Sequence, residues 1–365
     1  MKNLVVTRDA VRLAPPFEPV EGFAPDIPAK PSTSWQRLLA RFARQPIVRS
    51  PQRVRNSRLS PHNGLVADGR LARRASLASA VIRALADYVA LTKPRLNLLV
   101  VASSAAGYYL GARAPFDVAA MVQAVGGTAL VAAGAAALNQ FAERDIDAMM
   151  RRTRTRPLPS GRLSPWEALA FGLALFVTGL AVLALTVTML ATMLAFVTLV
   201  VYLGVYTPMK RRTPLSTLVG AVPGALPPLI GWSASHGTIA GGGAALFAIV
   251  FLWQIPHFMA IAWLFRDDYD KAGLPVLPVL EPDGHRTGRT AVVYAAALIP
   301  ISLLPWLIGM TGLSYAAVAA AVGLGLLWLA IRFAIMRSNT AARSLFLGSI
   351  IYLPVLWIVM IADRI

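Results

Sequence analysis

The 365-residue chain is 56% hydrophobic and only 14% charged, which excludes an ordinary soluble domain and indicates a membrane protein. It contains no cysteine, so disulfides and thiolate metal sites are excluded. The net charge of +18 would suit nucleic-acid binding, but the basic residues are unevenly placed. Residues 1–95 hold 17 of the 35 Lys and Arg, and 16 more fall in four loops between apolar segments. That distribution is typical of membrane topology, in which basic loops stay on the cytoplasmic side.

The N-terminal stretch, residues 1–75, is rich in Pro, Ser and Arg and contains no long apolar run. It lacks the apolar core and the small-residue cleavage site of a signal peptide, and its acidic residues argue against a mitochondrial leader. We predict a disordered basic cytoplasmic tail with a short surface helix near Ser34 to Arg44. The moderately amphipathic stretch 77–90 is expected on the cytoplasmic surface, and the rest, 76–365, is expected to form one membrane domain.

Nine apolar segments follow, each close to the ~20 residues that a membrane-spanning helix needs. They are 96–112, 118–138, 166–186, 188–206, 215–233, 243–264, 291–309, 314–332 and 343–362. The expected fold class is therefore an all-α membrane protein, a bundle of nine transmembrane helices. The third and fourth segments meet around Thr186 to Thr188, which requires a tight hairpin.

The loops between these segments differ sharply in charge. Those after spans two, four, six and eight hold 6, 3, 4 and 3 Lys and Arg, whereas the other inter-span loops hold only Arg113. The positive-inside rule then places the N-terminus and the basic loops in the cytoplasm and the C-terminus outside. Spans two and six both end in acidic clusters followed by basic loops. This recurrence predicts two four-helix units with one helix added.

The end of the second span carries the strongest chemical signal. Asn139, Glu143 and Asp147 are four residues apart, so they share one face of a helix, and Asp145 points away from them. Polar groups at the edge of the hydrocarbon are usually functional. Carboxylates in this arrangement suit Mg²⁺, which is commonly bound by one or two carboxylates together with phosphate oxygens. The pattern predicts a metal-assisted diphosphate site at one membrane face.

Basic residues beyond the second and fourth spans provide candidate diphosphate ligands. The second loop contains five arginines and no lysine, and arginine grips phosphate oxygens in bidentate fashion. Arg156 precedes a Pro-rich turn that should fold the chain back toward the acids. Lys210 and Arg211, after the fourth span, could form the second diphosphate-facing loop or serve only as membrane anchors.

The sixth span contains two polar residues, Gln254 and His257, beside Pro256. Such residues inside an apolar helix are costly and normally face the bundle interior. His257 could ligate iron, transfer a proton or form a hydrogen bond across helices. A second acidic set, including Asp268, follows this span and could bind a cation or pair with its basic neighbours.

Taken together, several stretches resemble the UbiA family of intramembrane prenyltransferases, and within it the branch that farnesylates protoheme. The similar stretches, in chain order, are Leu91-Thr92-Lys93-Pro94-Arg95, then Asn139 to Asp147 with Arg151 to Gly161, then Tyr206 to Thr213, and then Trp253 to Phe258 with Asp268-Tyr269 and Pro275 to Pro278. The resemblance covers about residues 85–362. Two features depart from the wider family: Glu143 stands where many members have Asp, and the second motif lacks the usual D-x3-D spacing.

This resemblance implies a nine-helix bundle with a large cavity open to the cytoplasm, in which Mg²⁺ and the diphosphate of farnesyl diphosphate bind. Asn139, Glu143 and Asp147 would be metal and catalytic residues, and Asp268 would belong to the second acidic motif. The expected substrate-binding residues are Lys93, Arg95, Arg156, Lys210, Arg211 and His257.

The expected reaction attaches a farnesyl group to a vinyl group of heme B and gives heme O. Expected partners are farnesyl diphosphate, heme B and the lipid bilayer, with heme A synthase downstream, and the expected location is the inner (cytoplasmic) membrane. Two other interpretations stay open. A quinone or chlorophyll precursor could be the acceptor at the same site, and duplicated helical halves also suit a transporter.

Overall fold

The computed structural model describes residues 66–113 and 115–365, and for residues 66–78 only the backbone. Most of the predicted N-terminal tail, including its short surface helix, lies outside the described residues. The first described helix begins at Val66, so its first residues belong to the stretch predicted as tail. Residues 79–90, which make up most of the predicted amphipathic stretch, are largely exposed.

Twelve helices occur in the described residues, and no strand is found there apart from one isolated bridge between Thr311 and Arg364. They are α1 Val66–Leu91, α2 Pro94–Gly111, α3 Val118–Met149, α4 Pro165–Thr186, α5 Met189–Met209, α6 Ser216–His236, α7 Gly241–Leu264, α8 Arg266–Lys271, α9 Leu277–Leu280, α10 His285–Leu307, α11 Leu313–Met336 and α12 Asn339–Ala362. The all-helical fold class is confirmed.

Seven of these helices are long and apolar enough to cross a membrane, within the part of the chain that the structure describes. They are α3, α4, α5, α7, α10, α11 and α12. The other two predicted spans correspond to α2 and α6. These helices are 18 and 21 residues long, but their mean hydropathy is too low for them to be counted among the seven. A multi-pass membrane protein is thus confirmed, while the count of nine spans stays a prediction.

Local sequence signals explain where several helices begin. Ser164 caps α4: its hydroxyl accepts from the Glu167 backbone N–H, and the Glu167 carboxylate accepts from the Ser164 backbone N–H. This reciprocal capping box, with Pro165 at the first helical position, defines the start of α4. The predicted tight hairpin is also found, since only Val187 and Thr188 separate α4 from α5.

Small residues allow the helices of the bundle to approach closely. α2 crosses α6 where Gly107 lies against the backbone of Pro228 and Gly231 against the backbone of Ser104, so a Cβ at either glycine would collide with a carbonyl oxygen. Close approach at small residues is how membrane helices gain packing energy without a hydrophobic driving force. α6 contributes to both large buried clusters, one shared with α3, α4 and α5 and the other with α7 and α10 to α12.

A smaller buried cluster determines where the polar helix ends meet. Ile146 and Met150, at the end of α3, pack with Ala262 of α7 and with Tyr269 and Leu274 beyond it. The ends of the predicted second and sixth spans are therefore adjacent on one side of the bundle. α3 itself continues eleven residues beyond Leu138, which was predicted as the last apolar residue of its span.

Candidate active site

The three residues singled out on α3 share one face and point into the bundle. Asn139, Glu143 and Asp147 are all buried, with at most 5% of their surface exposed. Asp145 points outward, with 79% of its side chain exposed beside Arg144. The predicted shared helix face, and the outward direction of Asp145, are both confirmed. Because uncompensated buried carboxylates are costly, each must meet a positive group.

Each polar side chain of this face meets a cation. Lys210 Nζ lies 2.6 Å from Glu143 Oε1, and Arg156 Nη1 donates to Asp147 Oδ2 at 2.6 Å. Lys93 Nζ donates to Asn139 Oδ1 at 3.0 Å. Three separate chain segments therefore deliver their cations to one helix face, and all six side chains line a single cavity. Three of the predicted diphosphate-binding residues are thus found beside the three predicted metal ligands.

The loop after α3 folds back toward the helix that precedes it. Thr153 is buried, and its hydroxyl donates to the Asp147 carbonyl at 2.8 Å. The backbone N–H of Arg156 in turn donates to the Thr153 carbonyl at 2.9 Å. These turns bring Arg156 back to Asp147, nine residues earlier in the chain. The predicted return of Arg156 to the acids is confirmed, but the turns that produce it lie before Pro157 and not in the Pro-rich turn itself.

Lys93 occupies an unusual backbone position between α1 and α2. Its φ and ψ angles are 49° and 59°, the left-handed region, and Pro94 begins α2 directly after it. This turn directs the Lys93 ammonium inward to Asn139. Burial lowers the pKa of Lys93 to about 8, and the charge of Arg156 adds to the effect while Glu143 and Asp147 oppose it.

A stacked pair of tyrosines, which sequence reasoning did not assign to the site, forms another wall. Tyr202 and Tyr206 have ring centroids 5.6 Å apart and nearly parallel planes. They lie on a π-helical segment of α5, Val200–Tyr206, a feature that is frequent at functional sites. Gly220 makes room for the Tyr206 ring, since a Cβ there would come within 2.7 Å of it.

The π-helical segment is also tied to the polar face of α3. Asn139 Nδ2 donates to Thr207 Oγ1 at 3.4 Å, and the Thr207 hydroxyl donates to the Tyr202 carbonyl at 2.8 Å. The spacing of four between Tyr202 and Tyr206 was visible in the sequence. In the structure both rings line the polar cavity from this π-helical segment.

Two adjoining cavities of different character meet at these residues. The polar one, about 330 Å³, contains the carboxylates and cations described above. The other, about 320 Å³, is lined mainly by apolar residues of α2, α3, α5, α6 and α7. They share five lining residues, namely Lys93, Leu96, Tyr202, Gly220 and Gln254. A molecule with a charged head and a long apolar tail could lie across this junction.

Other predicted site residues lie away from these two cavities. Arg95 and Arg211 are exposed and line neither of them. His257 stacks between Trp253 and Phe346, and its Nδ1 lies 2.8 Å from Ser349 Oγ on α12. The structure therefore places His257 in a hydrogen-bonding contact between α7 and α12, which is one of the three roles expected for it from the sequence.

The second acidic set does not line the polar cavity. Asp267 is 86% exposed beside Arg266. Asp268 is half-buried, and its Oδ2 accepts a 3.4 Å hydrogen bond from the Arg152 backbone N–H. Asp268 therefore joins α8 to the loop after α3, while its predicted catalytic role stays a prediction.

The residues of the polar cavity fit a hard divalent cation by their chemistry. Glu143 Oε1 is buried and accepts no hydrogen bond among the described residues, although the Lys210 ammonium lies close to it. With Asp147 and the Asn139 amide oxygen, it forms an all-oxygen donor set on one helix face, as Mg²⁺ prefers. No cluster of three or more His, Cys, Asp or Glu suited to a metal occurs in the described part of the chain. Further oxygens would have to come from the substrate or water.

Sequence similarity relates the chain to a known protein family. Residues 100–353 match the model of the UbiA prenyltransferase family. The chain belongs to the UbiA prenyltransferase family. Among its relatives, this family member is 45% identical over 287 residues to a protoheme IX farnesyltransferase of Solibacter usitatus, covering 76% of this chain and 98% of that protein. It is 48% identical over 277 residues to one of Anaeromyxobacter sp., covering 75% and 92%.

Solved structures of low sequence identity share the UbiA fold of this family member. A digeranylgeranylglyceryl phosphate synthase is 17% identical with a TM-score of 0.65, over 76% of this chain and 98% of that one. A UbiA homolog from Archaeoglobus fulgidus bound to GPP and Mg²⁺ is 18% identical with a TM-score of 0.57, over 76% and 99%.

Proposed function

We propose that this chain is a membrane-embedded farnesyltransferase that transfers the farnesyl group of farnesyl diphosphate to a vinyl group of heme B and so forms heme O. The observation that carries this proposal is the junction of a polar, cation-lined cavity with an apolar one. Relatives at 45% and 48% identity that are protoheme IX farnesyltransferases support heme B as the acceptor.

The polar cavity suits the diphosphate. Lys210 and Arg156 neutralise Glu143 and Asp147, and the same cations are close enough to the cavity to bind diphosphate oxygens. Mg²⁺, held by Glu143, Asp147 and the Asn139 amide oxygen, would supply further charge neutralisation for the leaving group. Stabilising the charge that develops on a leaving group is usually the largest catalytic term.

The apolar cavity suits the farnesyl chain and protects the reaction from water. When the bond between C1 and oxygen breaks, the electron pair leaves with the diphosphate and C1 becomes an allylic cation. Tyr202 lies at the junction of the cavities and Tyr206 stacks on it in the polar cavity, so their ring faces can stabilise positive charge there. The terminal vinyl carbon of heme B then bonds to C1. The positive charge moves to the neighbouring vinyl carbon, which takes the oxygen of a water molecule and releases a proton.

Orientation and location form part of the same proposal. The basic loops lie at the membrane face of the polar cavity, so the positive-inside rule assigns that cavity to the cytoplasmic side of the inner membrane. The N-terminus would then be cytoplasmic and the C-terminus outside. The contact of Arg364 with the Tyr109 carbonyl at 2.5 Å supports this, because Tyr109 lies at the end of α2 remote from Lys93. A heme A synthase would consume the product.

The experiment is an assay of purified protein in detergent with Mg²⁺, farnesyl diphosphate and either heme B or 4-hydroxybenzoate. Mass analysis of the extract should show farnesylated, hydrated heme and no alkylated benzoate. Alkylation of the benzoate alone would replace heme with a quinone precursor. Movement of farnesyl diphosphate across proteoliposomes without its consumption would show a transporter instead.

A further inference from the structure

One cation at the polar cavity is unlike the others. Lys93, Arg156 and Lys210 each meet Asn139 or one of the α3 carboxylates, whereas the Arg152 guanidinium has no carboxylate within ion-pair distance among the described residues. Arg152 lines the same cavity and is exposed at its rim. Its guanidinium therefore forms no ion pair within the described part of the chain.

The position of Arg152 is nevertheless well determined. Its backbone N–H donates to Asp268 Oδ2, so the Asp268 carboxylate is directed to the main chain. The guanidinium carbon lies 4.7 Å from the centre of the Phe265 ring and 5.9 Å from that of Tyr269. Stacking over two aromatic faces keeps the guanidinium on the α7–α8 side, and its N–H groups have no hydrogen-bond acceptor among the residues that the structure describes.

The surroundings of Arg152 suit a flat, apolar molecule that carries an anionic edge. Phe258 and Tyr269 line the cavity beside it, with ring centroids 6.5 Å apart. Lys93, Arg156 and Lys210, the three cations around α3, are sufficient to bind a diphosphate. The Arg152 guanidinium, which stacks on Phe265 and Tyr269 instead of meeting an α3 carboxylate, is therefore available to a second anion. A planar guanidinium fork matches a carboxylate best.

We propose that Arg152 binds a carboxylate of the acceptor, and that Asp268 acts as a positioning residue that holds Arg152 in place. This inference rests on the proposed function, because heme B carries vinyl groups at one edge and two propionates at the opposite edge. With a vinyl group at the cavity junction, the propionate edge faces the polar rim, since a charged group is expensive within the bundle. Phe258 and Tyr269 contact the macrocycle, and Arg152 decides its orientation.

The test compares heme B with its dimethyl ester, in which the vinyl groups remain and the carboxylates are neutral. The unmutated enzyme should prefer heme B by roughly 10- to 100-fold in kcat/KM, the worth of a charge-assisted hydrogen bond. In Arg152→Gln, kcat/KM should fall by that factor with heme B and stay unchanged with the ester. The KM for farnesyl diphosphate should also stay unchanged. Arg152→Lys should retain part of the preference, and Arg343→Gln, on an exposed arginine that lines neither cavity, should retain all of it.

Two results would overturn the assignment. The first is an unmutated enzyme whose kcat/KM is the same for the ester and for heme B. This result would refute the assignment even if Arg152→Gln fails to fold. The second is an Arg152→Gln enzyme with an unchanged preference and a raised KM for farnesyl diphosphate, which would assign Arg152 to the diphosphate. Failure of the proposed function looks different, because the unmutated enzyme would then farnesylate neither heme.

Discussion

Asp147 and Arg156 form an ion pair of 2.6 Å although the Asp147 side chain is only 2% exposed. Removing one partner of a buried pair leaves an uncompensated charge, which costs about 3–5 kcal/mol. The loop from Met150 to Arg156 is therefore held in place by the same carboxylate that we assign to the metal. The ion pair between Asp147 and Arg156 therefore both orders the loop and holds the carboxylate in the cavity.

Replacing the Asp147 carboxylate by an amide should abolish catalysis. Asp147→Asn keeps the shape of the side chain but removes the charge shared by Arg156 and a metal, so we expect a loss of at least about 10²-fold in kcat. Product formation from farnesyl diphosphate and heme B with Mg²⁺ measures it. Asp145→Asn is the matched control because Asp145 points outward. Parental activity in Asp147→Asn would remove Asp147 from the metal role.

Glu143 and Lys210 should be energetically coupled. Glu143→Gln and Lys210→Met each leave one buried charge without its partner, whereas the double variant removes both. We expect each single variant to unfold at a lower temperature, and the double variant to regain part of the loss, with a coupling of about 0.5–3 kcal/mol. Thermal unfolding in detergent provides the measurement. Additive effects of the two changes would mean that the 2.6 Å contact carries no net stabilisation.

The depth of the apolar cavity should limit the length of the prenyl chain. Ser103 and Thr128 line it about ten residues along their helices from Lys93 and Asn139, which corresponds to roughly 15 Å. Ser103→Phe should fill this end and shift the preference from farnesyl toward geranyl diphosphate. Competition between the two diphosphates, read by the mass of the alkylated heme, measures the shift. An unchanged ratio would show that the chain does not reach Ser103.

The crossing of α2 over α6 should tolerate no added methyl group. Gly231→Ala would drive a Cβ into the Ser104 carbonyl, and overpacking of this kind typically costs about 1–3 kcal/mol. We expect a lower unfolding temperature in detergent. Gly325→Ala, at a glycine with no atom within 4 Å of the added Cβ, is the matched control. Equal stability of the two variants would show that the helices can separate here without cost.

The sequence by itself determined much of this protein because its signals are local. Long apolar runs predict membrane helices, since a helix is the structure that satisfies its own backbone in lipid. The four-residue spacing of Asn139, Glu143 and Asp147 places them on one helix face whatever surrounds that helix. The all-helical class, the hairpin between α4 and α5 and the return of Arg156 follow from such patterns.

Only the tertiary structure decided which groups actually meet. Lys93, Lys210 and Tyr202 reach the face of α3 from separate segments, and no periodicity within α3 could identify them as its partners. His257 and Asp268 carry strong local signals, yet the packing directs one to Ser349 and the other to the Arg152 backbone. The physical reason is that burial of a carboxylate requires a counter-charge but does not specify from where along the chain it comes.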